Sequence, residues 1–316
     1  MFTLAHLSDS HTTPVRIPNF RALLSKRLLG WLKWVLERRH IHRPEVLAAL
    51  TADLKLTRPD HIAITGDLTN LGLTEEFAAA GAWLRQLGDS RLISLVPGNH
   101  DAYVPEPWEA AWQHWQEYLE SDAAHGALVP PQASFRELAR TYFPSLRIRG
   151  GVALVGISTA RPVGLFRAGG AVGGTQLRRL KKILHALAET DLCRVVLIHH
   201  PPNHDDWTLR RGLGDGHALC EVLQKTGAEL ILHGHWHTTN RETLHGLHGP
   251  IPIVGVRSAS DCTGRPQRSA QYHLYRIEQQ PSASGRPQFR ITWVVRQYDR
   301  ARHQFVEGEE RVLGEE

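Results

Sequence analysis

The sequence predicts an α/β fold, and two observations carry that prediction. Short apolar runs rich in β-branched residues and leucine recur along the chain, in "FTLAHLSDSH", "HIAITGD", "RLISLVPGNHD", "RVVLIHHPP" and "ELILHGHWH", and each stops at small or polar residues. Stretches with helical apolar spacing lie between them. Runs of that length separated by helices read as buried, largely parallel strands. At 316 residues, with 41% hydrophobic and 22% charged, the chain is long enough to bury a full core without staples, and its composition is that of an ordinary globular protein.

The first strand ends at Asp9 and His11; two residues apart, they face one side of an extended backbone. A helical insertion at about 16–43 precedes the first crossover helix, 44–57, where Pro44 suits the first turn. The second strand ends in Gly66-Asp67 and leads to a helix over 74–87. The third ends in Gly98-Asn99-His100-Asp101, and a second insertion, about 104–145, comes after it. A helix over 175–188 takes Thr175 as its N-cap. The fourth strand ends at His199-His200, a helix spans 216–226, and the fifth strand ends at Gly234-His235 and His237. Gly66 and Gly98 let the backbone turn sharply beside a ligand.

Three cysteines without CxxC spacing support neither a disulfide framework nor a thiolate zinc site, so a reducing compartment is expected. The N-terminus reads directly into a strand, and no stretch approaches the roughly 20 apolar residues of a membrane span. The expectation is a cytoplasmic protein, at most peripheral to the inner face of a membrane. A net charge of +5 and a pI near 9.3 favour anionic partners. The excess is local: residues 16–43 hold eight Lys or Arg against one acid, Glu37.

In open α/β sheets, ligands bind beyond the carboxyl ends of the strands. Any single histidine among the 20 is by default a surface or core residue, and a lone Gly-Asp is a turn. Five strand ends that all finish in oxygen or imidazole donors are not explained that way.

The ordered set Asp9-x-His11, Gly66-Asp67, Gly98-Asn99-His100-Asp101, His199 in "HHPP" and Gly234-His235-x-His237 resembles the calcineurin-like metallophosphoesterase superfamily. The resemblance runs over residues 9–237, about three quarters of the chain. It implies a four-layer sandwich of two mixed β-sheets flanked by helices, in one domain, with a two-metal centre. Asp9, His11, Asp67 and His237 would hold one metal; Asp67, Asn99, His199 and His235 the other. His199 is chosen over His200 because the family's ligand lies two residues before the proline. His233 is expected to point away. His100 would protonate or stabilise the leaving group, and Asp101 would orient its ring. "IPIVGV", "QYHLYRI" and "RITWVVRQYD" would complete the second sheet, "QQPSASGRPQ" would be a hairpin loop, and "EGEERVLGEE" a solvated tail.

Such donors suit manganese, iron, zinc or magnesium without choosing among them, manganese being favoured. The reaction implied is hydrolysis of a phosphodiester or pyrophosphate by in-line attack of a metal-bound hydroxide. Residues 19–42 place Phe20, Leu24, Leu28, Trp31 and Val35 at helical spacing among basic residues, the pattern of a membrane-surface helix or of a lid packed on the protein. Trp108, Trp112, Trp115 and Leu119 repeat the spacing, as core or as one wall of an apolar cleft. The insertions look like those of UDP-diacylglucosamine hydrolases, which puts a nucleotide-linked lipid at an anionic membrane surface first. A cyclic nucleotide or other small diester is the alternative. Nucleic acid is disfavoured because no recognition module is visible. A metal-free protein-binding scaffold is the alternative of another class, and the complete ligand set speaks against it. "GGAVGGTQ" lacks a P-loop's Gly-Lys-Ser/Thr ending and is expected to be a mobile loop. Ser10 and Ser158 lack a nucleophile elbow.

Overall fold

The structure, a computed structural model, describes residues 1–12, 15–17, 20–107, 110–122, 142–202, 210–265, 267–281 and 287–314. The apolar runs become strands β1 (Phe2–Leu7), β2 (His61–Ile64), β3 (Ile93–Leu95), β6 (Cys193–Leu197) and β7 (Leu230–His233). Between and after them come β4 (Ser145–Arg149), β5 (Val152–Gly156), β8 (Asn240–Gly246), β9 (Gly249–Gly255), β10 (Gln271–Gln280), β11 (Gln288–Asp299) and β12 (Gln304–Val312). They form two mixed six-stranded sheets, ordered β12-β11-β10-β1-β2-β3 and β4-β5-β6-β7-β9-β8.

Strand alternation explains the layering. In β6 and β7, Val195, Leu197, Leu230 and Leu232 join the main core, which draws on both sheets. Val196 and Ile231 point the other way, against Leu180, Ile183, Leu184, Leu219 and Leu223 of helices Gly174–Leu187 and Gly216–Thr226. Helices Pro44–Thr57 and Thr74–Leu87 pack Leu50, Leu54, Phe77 and Leu84 onto the first sheet. Burial on both faces is why these strands read as continuous apolar runs.

Several expectations need correction. The three late runs do not share one sheet: β9 pairs with β7, whereas β10 runs antiparallel beside β1 and carries β11. The expected solvated tail is largely β12, an edge strand on β11; Phe305 is its buried anchor and its exposed glutamates keep the edge soluble. Thr175 lies inside its helix, and the N-cap position is Gly173. The glycine-rich loop is tied down, since Asp215 accepts from the backbone NH groups of Val172 and Gly173, and Gly170 bridges to Leu213. The hairpin between β10 and β11 closes as far as the Gln280–Gln288 pair, and residues 282–286 lie outside the described residues.

The first insertion is a broken helix: a 3-10 turn at Phe20–Leu23, α-helix Arg27–Lys33, a π-turn Trp34–Arg38 and one turn Arg39–Ile41. It therefore divides the expected stripe. Trp31 and Trp34 pack with Val15, Leu71 and Leu73, while Leu24 (70% exposed), Leu28, Leu32 and Leu36 (75%) face outward at four-residue spacing. Arg27 ties the insertion down through Leu71 O, Gly72 O and Glu106. In the second insertion Trp112 and Trp115 are core, donating to Asp101 O and Phe77 O, so they wall no cleft. Trp108 and residues 123–141 lie outside the described residues.

Candidate metal centre

The strand ends converge. Asp9 N donates to Gly66 O, His11 N to Asp67 O and Gly234 N to His199 O, which laces the loops after β1, β2, β6 and β7 together. Their backbone is unusual. Asp9, His11, Asp67, His235 and His237 all have positive φ, between 40° and 74°, a region that costs side-chain-bearing residues about 1 to 3 kcal/mol each. The extended-strand argument for Asp9 with His11, and for His235 with His237, is thereby corrected. Left-handed turns, not strand alternation, bring each pair to one place. Two glycines make the approach possible: a Cβ on Gly98 would stand 2.6 Å from Asp67 N, and one on Gly234 would meet Ser8 Oγ and Asp9 Oδ2.

The donor atoms form two groups. In the first, His237 Nε2 is 3.1 Å from Asp9 Oδ1 and 3.4 Å from His11 Nε2, and Asp67 clusters with Asp9 and His11. In the second, Asn99 Oδ1 is 3.1 Å from His199 Nε2 and 3.0 Å from His235 Nδ1, with Asp67 Oδ2 3.4 Å from His199 Nε2. Two atoms bound to one ion at about 2.0 to 2.2 Å lie about 3 to 3.5 Å apart, so this spacing suits shared cations. The outer nitrogens support it: His11 Nδ1 donates to Thr69 O and His199 Nδ1 to Thr65 O, which turns each Nε2 lone pair inward. His200 has both nitrogens engaged, by Thr159 Oγ1 and Ala168 O, although one of them lies within 4.8 Å of donor atoms of His199 and His235. His233 is buried near His6, away from these groups.

Electrostatics agree with cation binding. Burial holds the His11 and His235 imidazoles well below their ordinary pKa, leaving lone pairs available at neutral pH. Burial would lower His199 and raise Asp67, but their mutual attraction dominates: His199 is raised to about 9 and Asp67 held well below the usual carboxylate range. A cation bound there displaces that shared proton. Both sets fit divalent ions.

His100 stands beside the first group, its ring 5.0 Å from that of His11, with its backbone N–H on Asp67 Oδ1. Burial and then Arg38 bring its pKa down to about 4. Asp101 does not touch the His100 ring, contrary to expectation. Its carboxylate accepts from the NH groups of Leu68, Thr69 and Gly98 and from Thr69 Oγ1, stapling two ligand loops; its pKa rises to about 7 through burial and then Asp67. The His100 ring is set instead by Asn70 O, 2.5 Å from Nδ1.

Two residues at the site escaped the sequence reading. His42 brings its ring within 4.5 Å of His11, and its Nδ1 contacts Ser260 Oγ at 2.8 Å. Arg38 places Nη1 3.0 Å from His100 Nε2. Both come from the end of the insertion, where no motif marks them.

The sequence pattern described as calcineurin-like phosphoesterase matches residues 2–239. The chain belongs to that family. Among solved structures, this phosphoesterase is similar to a dimetal phosphatase from Danio rerio, at 12% identity and TM-score 0.60, covering 99% of this chain and 98% of that one. It is also similar to a purple acid phosphatase from yellow lupin seeds, at 12% identity and TM-score 0.55, covering 97% of this chain and 52% of that one. At such identities the likeness shows the fold alone. No curated protein matches the chain. As a member of the family, it is a hydrolase of phosphoesters; the family uses a dinuclear metal centre, and this chain carries candidate His and Asp ligand groups for one. Among the described residues, no helix is long and apolar enough to cross a membrane.

Proposed function

We propose that this phosphoesterase, acting as one domain over residues 1–316, cleaves a phosphodiester or pyrophosphate bond in an amphiphilic, nucleotide-linked substrate such as UDP-diacylglucosamine at an anionic membrane surface. The observation that carries the chemistry is the convergence of Asp9, His11, Asp67, Asn99, His199, His235 and His237, five of them on strained left-handed backbone. Asp9, His11, Asp67 and His237 would hold one ion; Asp67, Asn99, His199 and His235 the other. Bound, such a pair clamps a phosphoryl group and lowers the pKa of water from about 15.7 toward about 7. His100, its ring fixed by Asn70 O and its Nε2 in contact with Arg38 Nη1, would stand on the leaving-group side to stabilise charge there, and Asp101 keeps the two loops in register.

The membrane part rests on the outward ridge Leu24, Leu28, Leu32 and Leu36, carried on a segment with Arg21, Lys33 and Arg39 exposed. Apolar side chains turned outward, among cations worth about 1 kcal/mol each near an anionic leaflet, suit an interface.

The test is one panel: protein stripped of metal and reloaded with manganese, zinc, iron or magnesium, assayed on bis(p-nitrophenyl) phosphate, cyclic AMP, single-stranded DNA and UDP-diacylglucosamine. Preference for the acylated substrate, with loss of phosphatidylglycerol-vesicle binding when the four leucines become serine, is expected. Indifference to acyl chains and vesicles removes the lipid reading; preference for cyclic AMP replaces it with the small-diester one. A reloaded protein that holds no ions and cleaves nothing removes the enzyme.

A further inference from the structure

Near its end the insertion passes through the π-turn Trp34–Arg38, with α-helical residues on either side. A π-turn shifts the helical register and re-aims the side chains beyond it, and such turns concentrate at functional sites. Here the side chain at its end is Arg38. Because His100 Nδ1 is engaged by Asn70 O, His100 Nε2 is the atom that accepts from Arg38 Nη1 at 3.0 Å. Among the described residues no carboxylate forms an ion pair with Arg38. Beside it lies a cavity of about 50 Å³, lined by Lys33, Trp34, Arg38, Asn70, His100 and Tyr103. A cavity of that size takes a few water-sized groups and no nucleoside. Asp67 and Asp9 attract this partly buried guanidinium from a distance but leave its planar fork unpaired, and that fork matches phosphate oxygens.

Position decides which phosphate. His100 Nε2 marks the leaving-group side of the reaction proposed above, on which this inference rests. An anion held by Arg38 therefore belongs to the departing fragment and not to the phosphorus under attack. We propose that Arg38 binds the second phosphate of a diphosphate substrate, so that the bond cut is a pyrophosphate. The water oxygen bonds to the attacked phosphorus, and the P–O bond breaks with its electron pair leaving on the second phosphate. The protons of water go to the two phosphate monoester products and to solvent. A departing phosphate monoester, with a second pKa of about 6, needs a cation beside it more than it needs a proton. An alkoxide would need the reverse.

The experiment compares the metal-loaded full chain with Arg38→Ala and Arg38→Lys on ADP-ribose, which has two phosphates, and bis(p-nitrophenyl) phosphate, which has one. Metal content and thermal unfolding are read on each. Expected in Arg38→Ala is a fall in kcat/KM of about 10- to 150-fold on ADP-ribose, the range of a charge-assisted contact, with a fall at least about fivefold smaller on the single-phosphate diester. Calorimetry should show imidodiphosphate binding wild type more tightly than inorganic phosphate does, and Arg38→Ala losing that preference. Arg38→Lys should lie between, since it keeps the charge without the fork. It decides the matter if Arg38→Ala loses its fold or metal. Equal losses on both substrates, or no preference of wild type for imidodiphosphate, overturn the proposal while leaving a working phosphoesterase. Absence of metal and of all hydrolysis in wild type overturns the parent reading and this one together.

Discussion

Gly98→Ala tests the geometry of the centre without replacing a single donor residue. Gly98 has no left-handed φ, so alanine is acceptable to its backbone, and the cost is steric alone. The new Cβ would stand 2.6 Å from Asp67 N and 2.8 Å from Asp67 Cγ, where ordinary contact begins at 3.4 Å. Asp67 must retreat by about 0.8 Å, against a tolerance of about 0.2 Å in ligand distances. Overpacking of this kind destabilises by about 1 to 3 kcal/mol. Losing a group that merely orients a ligand costs metal affinity about 10- to 100-fold, and displacing Asp67 itself should cost at least the upper end. The assay is metal content by mass spectrometry against a graded chelator, alongside thermal unfolding of the stripped and loaded protein. Gly151→Ala is the control: nothing lies within 4 Å of its Cβ, but φ is +84°, so it should lose about 1 to 2 kcal/mol and keep its metal. Wild-type metal affinity in Gly98→Ala would refute the assignment of Asp67 to the centre.

Asp67→Asn, which removes the charge between the two donor groups, should lower metal content below two ions per chain as read by the same mass spectrometry. His100→Ala should keep both ions and lose about 100- to 10,000-fold in kcat on an alkyl phosphodiester, the span of general-acid help; full activity would remove that role. His61, far along β2 from the ligands and bonded to Ser94 Oγ, is pushed down to about 3 by burial, then by Arg147 and Arg149. Its folded pKa lies below the unfolded value of about 6.5, so its neutral form supports stability above pH 6.5 and that support is lost as pH falls toward 3. Between pH 6.5 and 5, wild type should lose about 2 kcal/mol more than His61→Gln in denaturant unfolding, and parallel losses would contradict it.

Much was legible along the chain. The helices at 44–57, 74–87 and 216–226 fall where apolar spacing placed them, because a 3.6-residue period is a local property. The strands were legible because a short apolar run is also a local property, and the family was legible through the resemblance of the ordered motifs at their ends. Tertiary structure decided the rest. Asp101 serves backbone NH groups of another loop as well as its own, β1 takes the distant β10 on one side and β2 on the other, and the insertion turns its leucines out while sending Arg38 and His42 inward. The left-handed backbone at Asp9, His11, Asp67, His235 and His237 is likewise invisible in residue identity, since Asp and His carry no mark of it. Local pattern fixes which groups a segment can offer. Where those groups meet depends on contacts between residues tens to hundreds of positions apart, and only the packed chain sets them.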